Sequence, residues 1–366
     1  MKKSLLWLVV LVLAISITAV FSLSGCKPKA AEEEAAPAVE EAAAEEEAAP
    51  AVEEVAEAYT IGMIVKSSGN PFFEAAQRGG QAVVDEFGDT LIFQGPETAT
   101  VEGQIALIEA LIDQQVDGIA ISANDPQALV PVCQSALEAG IKVISWDSGV
   151  AQEGRILHVN QADTELIGRG QVQMIAEMID YEGQIAILSA TSQATNQNAW
   201  IEWMKEELKD PKYANMELVA TVYGDDEREK SYNEAIGLFA SYPDLKGIIS
   251  PTTVGVAATA RALEDQGLNG QIQLTGLGLP SEMEEYILDG TCQAMALWNP
   301  TDLGYMAIYV TRALITGEIT GAVGEKLVIG DFGEREIMDV GNGPEILLGP
   351  PFQFNAENIA EWADVY

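Results

Sequence analysis

The stretch YTIGMIVKSSGNPFFEAAQRGGQAVVDEF, residues 59–87, decides the fold. Ile61–Val65 is an apolar run too short for a helix, and it reads as a strand buried on both faces. Phe73–Phe87 follows with apolar residues at helical spacing. Between them Asn70-Pro71 marks a helix start, because Asn caps well and proline suits the first helical turn. Two bulky rings, Phe72 and Phe73, sit in that first turn. One can pack inward; a pair at the mouth of a sheet can also grip a ligand.

The same alternation runs outward from this unit. Further short apolar runs are Leu91–Phe93, Gly118–Ile121, Val143–Ser145, Ile185–Leu188, Leu218–Val222, Gly247–Ile249 and Ile272–Gly276. Amphipathic stretches separate them: Val101–Gln115, Leu129–Ala139, Leu166–Ile179, Trp200–Leu208, Tyr232–Ala240 and Val254–Gln266. Strands alternating with helices imply parallel sheets covered on both faces. Eight such units exceed one comfortable core, which predicts an α/β protein of two doubly wound lobes. Ligand is then expected at the carboxyl ends of the strands. Asp125-Pro126 and Asn299-Pro300 repeat the cap-and-proline pattern, and capping suffices to explain Asp125.

Composition narrows the partners. The chain has 366 residues, 57 acids, 19 Lys plus Arg and one His, a formal charge of −38. Nucleic acid and an anionic membrane surface both need clustered basic residues, so both are excluded. The 48% hydrophobic content excludes wholesale disorder. Residues 31–43, AEEEAAPAVEEAA, recur at 44–56 as AEEEAAPAVEEVA. Residues 31–57 hold 11 Glu and no base, which predicts an extended, self-repelling tether. Residues 1–30 hold four Lys and no acid, leaving residues 58–366 with a net charge of −31. Lys2 and Lys3 before the apolar run Leu5–Phe21 read as an export signal.

Several ordered strings resemble the sugar-binding proteins of bacterial ABC importers, of the ribose-binding type. NPFF at 70–73 is similar to that family's sugar-stacking motif. The rhamnose-binding branch and its autoinducer-2-binding neighbour are matched by KSSGNPFF at 66–73, ISWDS at 144–148 and ILSATSQATNQNAW at 187–200. VYGDDEREKS at 222–231, GIISPTTVGVAA at 247–258, LTGLGLP at 274–280, ALWNP at 296–300 and LLGPPFQFNAENI at 347–359 also match. The likeness runs from about Tyr59 to the end. It implies a type I periplasmic binding protein with three crossovers, near Asn160, Trp298 and Gly349. Residues 58–160 plus 299–325 would form lobe one, and 161–298 plus 326–366 lobe two. Leu-Ser-Gly-Cys26 resembles the lipoprotein box, implying cleavage after residue 25, a lipid on Cys26, and residues 26–57 as the tether. The acyl chains would hold the protein on the outer face of the cytoplasmic membrane. The resemblance further implies a monosaccharide ligand, delivery to a membrane permease, a monomer, and neither enzymatic activity nor cofactor nor metal.

A monosaccharide needs polar groups at its hydroxyl edge and rings against its C–H face. Asp147 ends a strand, where a carboxylate can accept two hydroxyl protons. Lys66, at the end of the first strand, can donate to a sugar oxygen or pair with Asp147. Asn196 and Gln197 can donate and accept, or merely begin a helix. Pro251 and Thr253 suit sugar contact but also suit a plain helix start. Trp298 is a candidate stacking platform or a core residue, and Trp146 is a weaker one. By resemblance, the autoinducer-2 site uses a Lys, an Asp, an Asp-Gln pair and Pro-x-Ala. Here those positions read Lys66, Asp147, Asn196-Gln197 and Pro251-x-Thr253, so two of six differ. Gly278 stands where ribose-type proteins carry Asp. A rhamnose-like deoxyhexose fits best, with autoinducer-2 uptake or signalling the alternative.

Little supports an enzyme. His158 lies in the apolar run Ile156–Val159, and GLG at 276–278 is an incomplete dinucleotide fingerprint. A repressor of related fold is excluded by the missing basic headpiece and the export signal. Cys133 and Cys292 fall in different lobes and read as buried thiols.

Overall fold

A computed structural model describes residues 57–366. Cys26, the export segment and the acidic repeats lie outside the described residues.

The first lobe opens with β1 (Thr60–Ile64), α1 (Pro71–Phe87), β2 (Thr90–Gln94) and α2 (Val101–Asp113). It continues through β3 (Gly118–Ile121), α3 (Val130–Glu138), β4 (Lys142–Trp146) and β5 (His158–Asn160). The second lobe runs from α4 (Thr164–Met178) and β6 (Glu182–Ser189) to α5 (Thr195–Glu207) and β7 (Asn215–Tyr223). Then come α6 (Arg228–Ser241), β8 (Leu245–Ser250), α7 (Thr253–Asp265), β9 (Gln273–Gly276), α8 (Pro280–Leu288) and β10 (Ala294–Leu297). The chain ends with α9 (Pro300–Thr316), β11 (Lys326–Val328), β12 (Glu334–Glu336), β13 (Met338–Asp339), β14 (Pro344–Leu347) and β15 (Phe352–Asn355).

The first sheet has the order β13-β14-β5-β4-β3-β1-β2 and is parallel except at the β13–β14 pair. The second has the order β7-β6-β8-β9 and is parallel throughout. Beside it, β10 and β15 form an antiparallel ribbon that touches the end of β9 through the Leu277–Ala296 bridge. Strands such as β3 are buried at every residue because helices cover both faces. In the first lobe α1 and α9 lie on one face and α2 and α3 on the other; in the second, α4 and α5 oppose α6 and α7.

Two glycines set the spacing of α1 and α9. A Cβ on Gly79 would lie 1.8 Å from the Thr301 carbonyl oxygen, and one on Gly304 would lie 1.9 Å from that of Ala76. The two helices therefore cross backbone to backbone. Asn70 caps α1 through Phe72 N (3.0 Å), and Asn299 caps α9 through Thr301 N (2.9 Å). Their N-termini, with Phe72, Phe73 and Trp298, are thus fixed side by side.

The structure corrects two expectations. The C-terminal part does not go wholly with the second lobe: β14 pairs with β5 in the first sheet, and only β15 joins the second lobe. The chain passes between the sheets after β5, after β10 and after β14, so residues 326–347 stay in lobe one until the last passage. Asp125 caps a turn rather than a helix, accepting from Gln127 N and Ala128 N (both 2.8 Å), while α3 begins at Val130. The short strands β5, β10 and β11–β15 were not expected from the sequence, although β10 (Ala-Met-Ala-Leu) is as long an apolar run as β3; they are held by pairing with other segments.

Candidate functional site

The carboxyl ends of both sheets face each other across one cavity. β1 supplies Lys66 and the loop into α1 with Asn70, Phe72 and Phe73; β4 supplies Asp147. From the second lobe come Asn196 and Gln197 in the first turn of α5, Pro251 and Thr253 after β8, and Trp298 after β10. All ten candidate residues line this one space. About 360 Å³ in it is unfilled by atoms, of which about 40 Å³ is open to the centre of a water molecule.

One wall is polar and charged. Lys66 Nζ lies 3.1 Å from Asp147 Oδ2, and both side chains are almost wholly buried. Ser122 Oγ donates to the same oxygen (2.7 Å), and Asn196 Nδ2 donates to Oδ1 (3.0 Å). Lys66 Nζ also reaches Asn196 Oδ1 at 3.4 Å. Lys66 and Asp147 belong to lobe one and Asn196 to lobe two, so these bonds span the cleft. The carboxylate is held by a left-handed backbone at Asp147 (φ 55°), a conformation that Asp tolerates better than most side chains. Gln197 turns away from the centre: its Oε1 accepts from Ser189 Oγ (2.6 Å) and Ala190 N (2.8 Å), pinning α5 to the end of β6. Behind Lys66, Gln104 Nε2 donates to the carbonyls of Val65 (3.0 Å) and Ser122 (2.7 Å), and Asn124 Nδ2 to that of Lys66 (2.9 Å). This buried network fixes the strand ends that present the charges.

The other wall is aromatic and apolar. Phe72 meets Trp298 edge to face at 6.2 Å, and Trp298 meets Trp200 at 5.8 Å. Phe73 packs on Trp146 at 5.8 Å, and Trp146 is fully buried outside the cavity. Leu277 and Leu297 complete this wall. The Trp298 indole N–H is buried and has no protein partner.

Sequence reasoning assigned chemistry to a single acid, whereas the cavity holds two. Asp226, after β7, lines it and accepts from the Thr252 hydroxyl. Although the residue as a whole is only partly covered, burial of its carboxyl raises its pKa, opposed by the Lys66 charge. Its backbone is also left-handed (φ 54°). The signal was available, since Asp226 sits at a strand end like the others. Trp200 carried no such signal, because it lies inside a helix. Gly278 does not line the cavity; a Cβ there would lie 2.4 Å from Met295 Sδ, so a larger residue would require the Met295 side chain to shift. Among the described residues no group of His, Cys, Asp or Glu could hold a metal ion.

Residues 61–319 match the Periplasmic binding protein domain. The chain belongs to the periplasmic binding protein family. As a periplasmic binding protein it is a receptor rather than an enzyme. It is similar to an ABC transporter solute-binding protein from Clostridium phytofermentas solved with bound L-rhamnose: 43% identity, 85% of this chain and 100% of that one covered, TM-score 0.83. It is 26% identical over 268 residues to a D-ribose/D-allose-binding protein of Pseudomonas aeruginosa, covering 70% of this chain and 82% of that protein. LsrB from Clostridium saccharobutylicum, solved with AI-2, shares the fold of this periplasmic binding protein at 24% identity, TM-score 0.79, with 83% and 99% covered.

Proposed function

We propose that this protein is the receptor of an ABC importer that captures an L-rhamnose-type deoxyhexose between its lobes and delivers it to a membrane permease in the cell envelope. One observation carries this reading: a single cavity is lined both by charged, hydrogen-bonding side chains and by aromatic and apolar ones. Asp147, Asn196, Lys66 and Asp226 suit hydroxyls. Phe72, Trp298, Leu277 and Leu297 suit the C–H face and the methyl group. A hydroxymethyl group there would bury a hydroxyl among mostly apolar side chains, with the Trp298 indole N–H the donor it could meet. The bound L-rhamnose of the 43% identical relative supports the same class. Cys26 would carry the lipid that keeps the receptor at the outer face of the cytoplasmic membrane, with residues 26–57 as its tether, and the protein would act as a monomer without cofactor.

Thermal unfolding of the full chain tests this. L-rhamnose at about 100 times its Kd adds about 2.7 kcal/mol of stability, a readily measured rise in Tm. L-mannose, which differs by one hydroxyl on the methyl carbon, binds about ten- to a hundred-fold more weakly. Asp147→Ala removes the ligand-induced rise and leaves a folded protein. A rise with autoinducer-2 or ribose and none with L-rhamnose would overturn the proposed ligand.

A further inference from the structure

A second cavity lies in the same cleft, and Asp147, Asn196 and Trp200 line both. The Asn196–Asp147 hydrogen bond is therefore part of a common wall. The second space is the roomier one, with about 380 Å³ open to the centre of a water molecule against about 40 Å³ in the first. Its floor is built from four polar side chains, Arg155, His158, Asn160 and Glu345, each more than nine-tenths buried. Arg155 is locked in place, donating to the carbonyls of Val150 (2.7 Å), Pro344 (3.0 Å) and Asn342 (2.6 Å). His158 Nδ1 meets Ser145 Oγ at 2.9 Å, and burial beside Arg155 lowers its pKa to about 3, leaving a neutral ring. Glu345 is raised by burial, opposed by the Asn160 hydrogen bond and the Arg155 charge. Gln127, Gln152, Thr164 and Thr195 line it as well. Monosaccharide capture in the first cavity uses none of these groups. A rigid guanidinium, a neutral imidazole, a carboxyl and amides around one groove offer donors and acceptors to many hydroxyls without selecting an ion.

We infer that this groove is a second sugar subsite, and that the receptor takes rhamnose-terminated disaccharides and glycosides, one ring in each cavity. The inference rests on the proposed function. A glycosidic oxygen seated at the common wall would accept from Asn196 Nδ2 in place of Asp147, whose freed oxygen would accept from a neighbouring sugar hydroxyl.

Calorimetric titration of the full chain with L-rhamnose, methyl α-L-rhamnoside and a rhamnosyl-rhamnose disaccharide decides it. The disaccharide should bind at least about ten-fold more tightly than the methyl glycoside. Ala199→Phe, which fills the groove from α5 without lining the first cavity, should erase that advantage and leave the Kd for L-rhamnose within about two-fold. Should Ala199→Phe not fold, Glu345→Gln preserves shape while changing the hydrogen-bond pattern, and should cut the advantage several-fold. A disaccharide that binds no better than the methyl glycoside, or variants that weaken all three ligands equally, would overturn the second subsite alone. Absence of binding by L-rhamnose and by the disaccharide would bring down the proposed function and this inference together.

Discussion

At the scale of single residues, the cleft is governed by how close charges are paired. Asn196 is the telling case, because its amide donates 3.0 Å to Asp147 across the lobes. A carboxylate in its place would face Asp147 directly, and two such groups cannot both ionise cheaply. Asn196→Asp should therefore weaken ligand binding about ten-fold near pH 8, and the loss should shrink on acidification as the pair takes up a proton. Titrations of variant and wild type at two pH values check this; an equal penalty at both would contradict it. His158 gives a stability signature of opposite origin. Its pKa falls from 6.5 to about 3 on folding, mainly through burial. Between those values the unfolded chain binds more protons, so stability declines as pH falls through that window, by up to about 1.4 kcal/mol per pH unit. Denaturant melts of wild type and His158→Gln should diverge below about pH 6.5 and run parallel above it. The residues legible in the sequence were those whose type and position both pointed to a strand end: Lys66, Asp147, and Asn196 beside Gln197. Gln197 shows the limit, since it lines the cavity yet spends its carbonyl oxygen on Ser189 and Ala190.

At the scale of elements, the aromatic wall depends on one helix crossing. Phe72 starts α1, Trp298 precedes α9, and the two helices touch at Gly79 and Gly304. A methyl group at Gly79 would meet backbone atoms, which cannot move aside as a flexible side chain does. Gly79→Ala should cost about 1–3 kcal/mol or more and also loosen ligand binding, by spreading Phe72 from Trp298. Thermal melts and titration of the same preparation test both; lost stability with unchanged affinity would uncouple the crossing from the site. The alternation of strands and helices through β9, short β5 apart, was readable because those strands carry continuous apolar runs. From β10 onward the strands are three or four residues long or lie on exposed edges, and β12 reads Glu-Arg-Glu. β10 apart, nothing in their own side chains marks them as strands; long-range pairing does.

At the scale of the whole molecule, two buried thiols report on the two lobes. Cys133 lies on the buried face of α3 in the first lobe and Cys292 beside β10 in the second, and burial pushes both pKa values to about 12. Neither should react with a thiol reagent in the folded protein at about pH 8. In rising denaturant, both should become reactive at one midpoint, because the C-terminal segment stitches the sheets together. Mass-resolved labelling measures each separately, and two distinct midpoints would show that the lobes unfold independently. The division into two lobes was legible from length and periodicity, but the path of the last forty or so residues was not, since it depends on which edge each short strand finds. That path sets an order of events during synthesis. The first sheet waits for residues 344–347, and the β10 ribbon of the second lobe waits for residues 352–355, so each lobe takes its last strand from the C-terminal segment. A growing chain therefore leaves an unpaired strand edge in each lobe until those residues have been made.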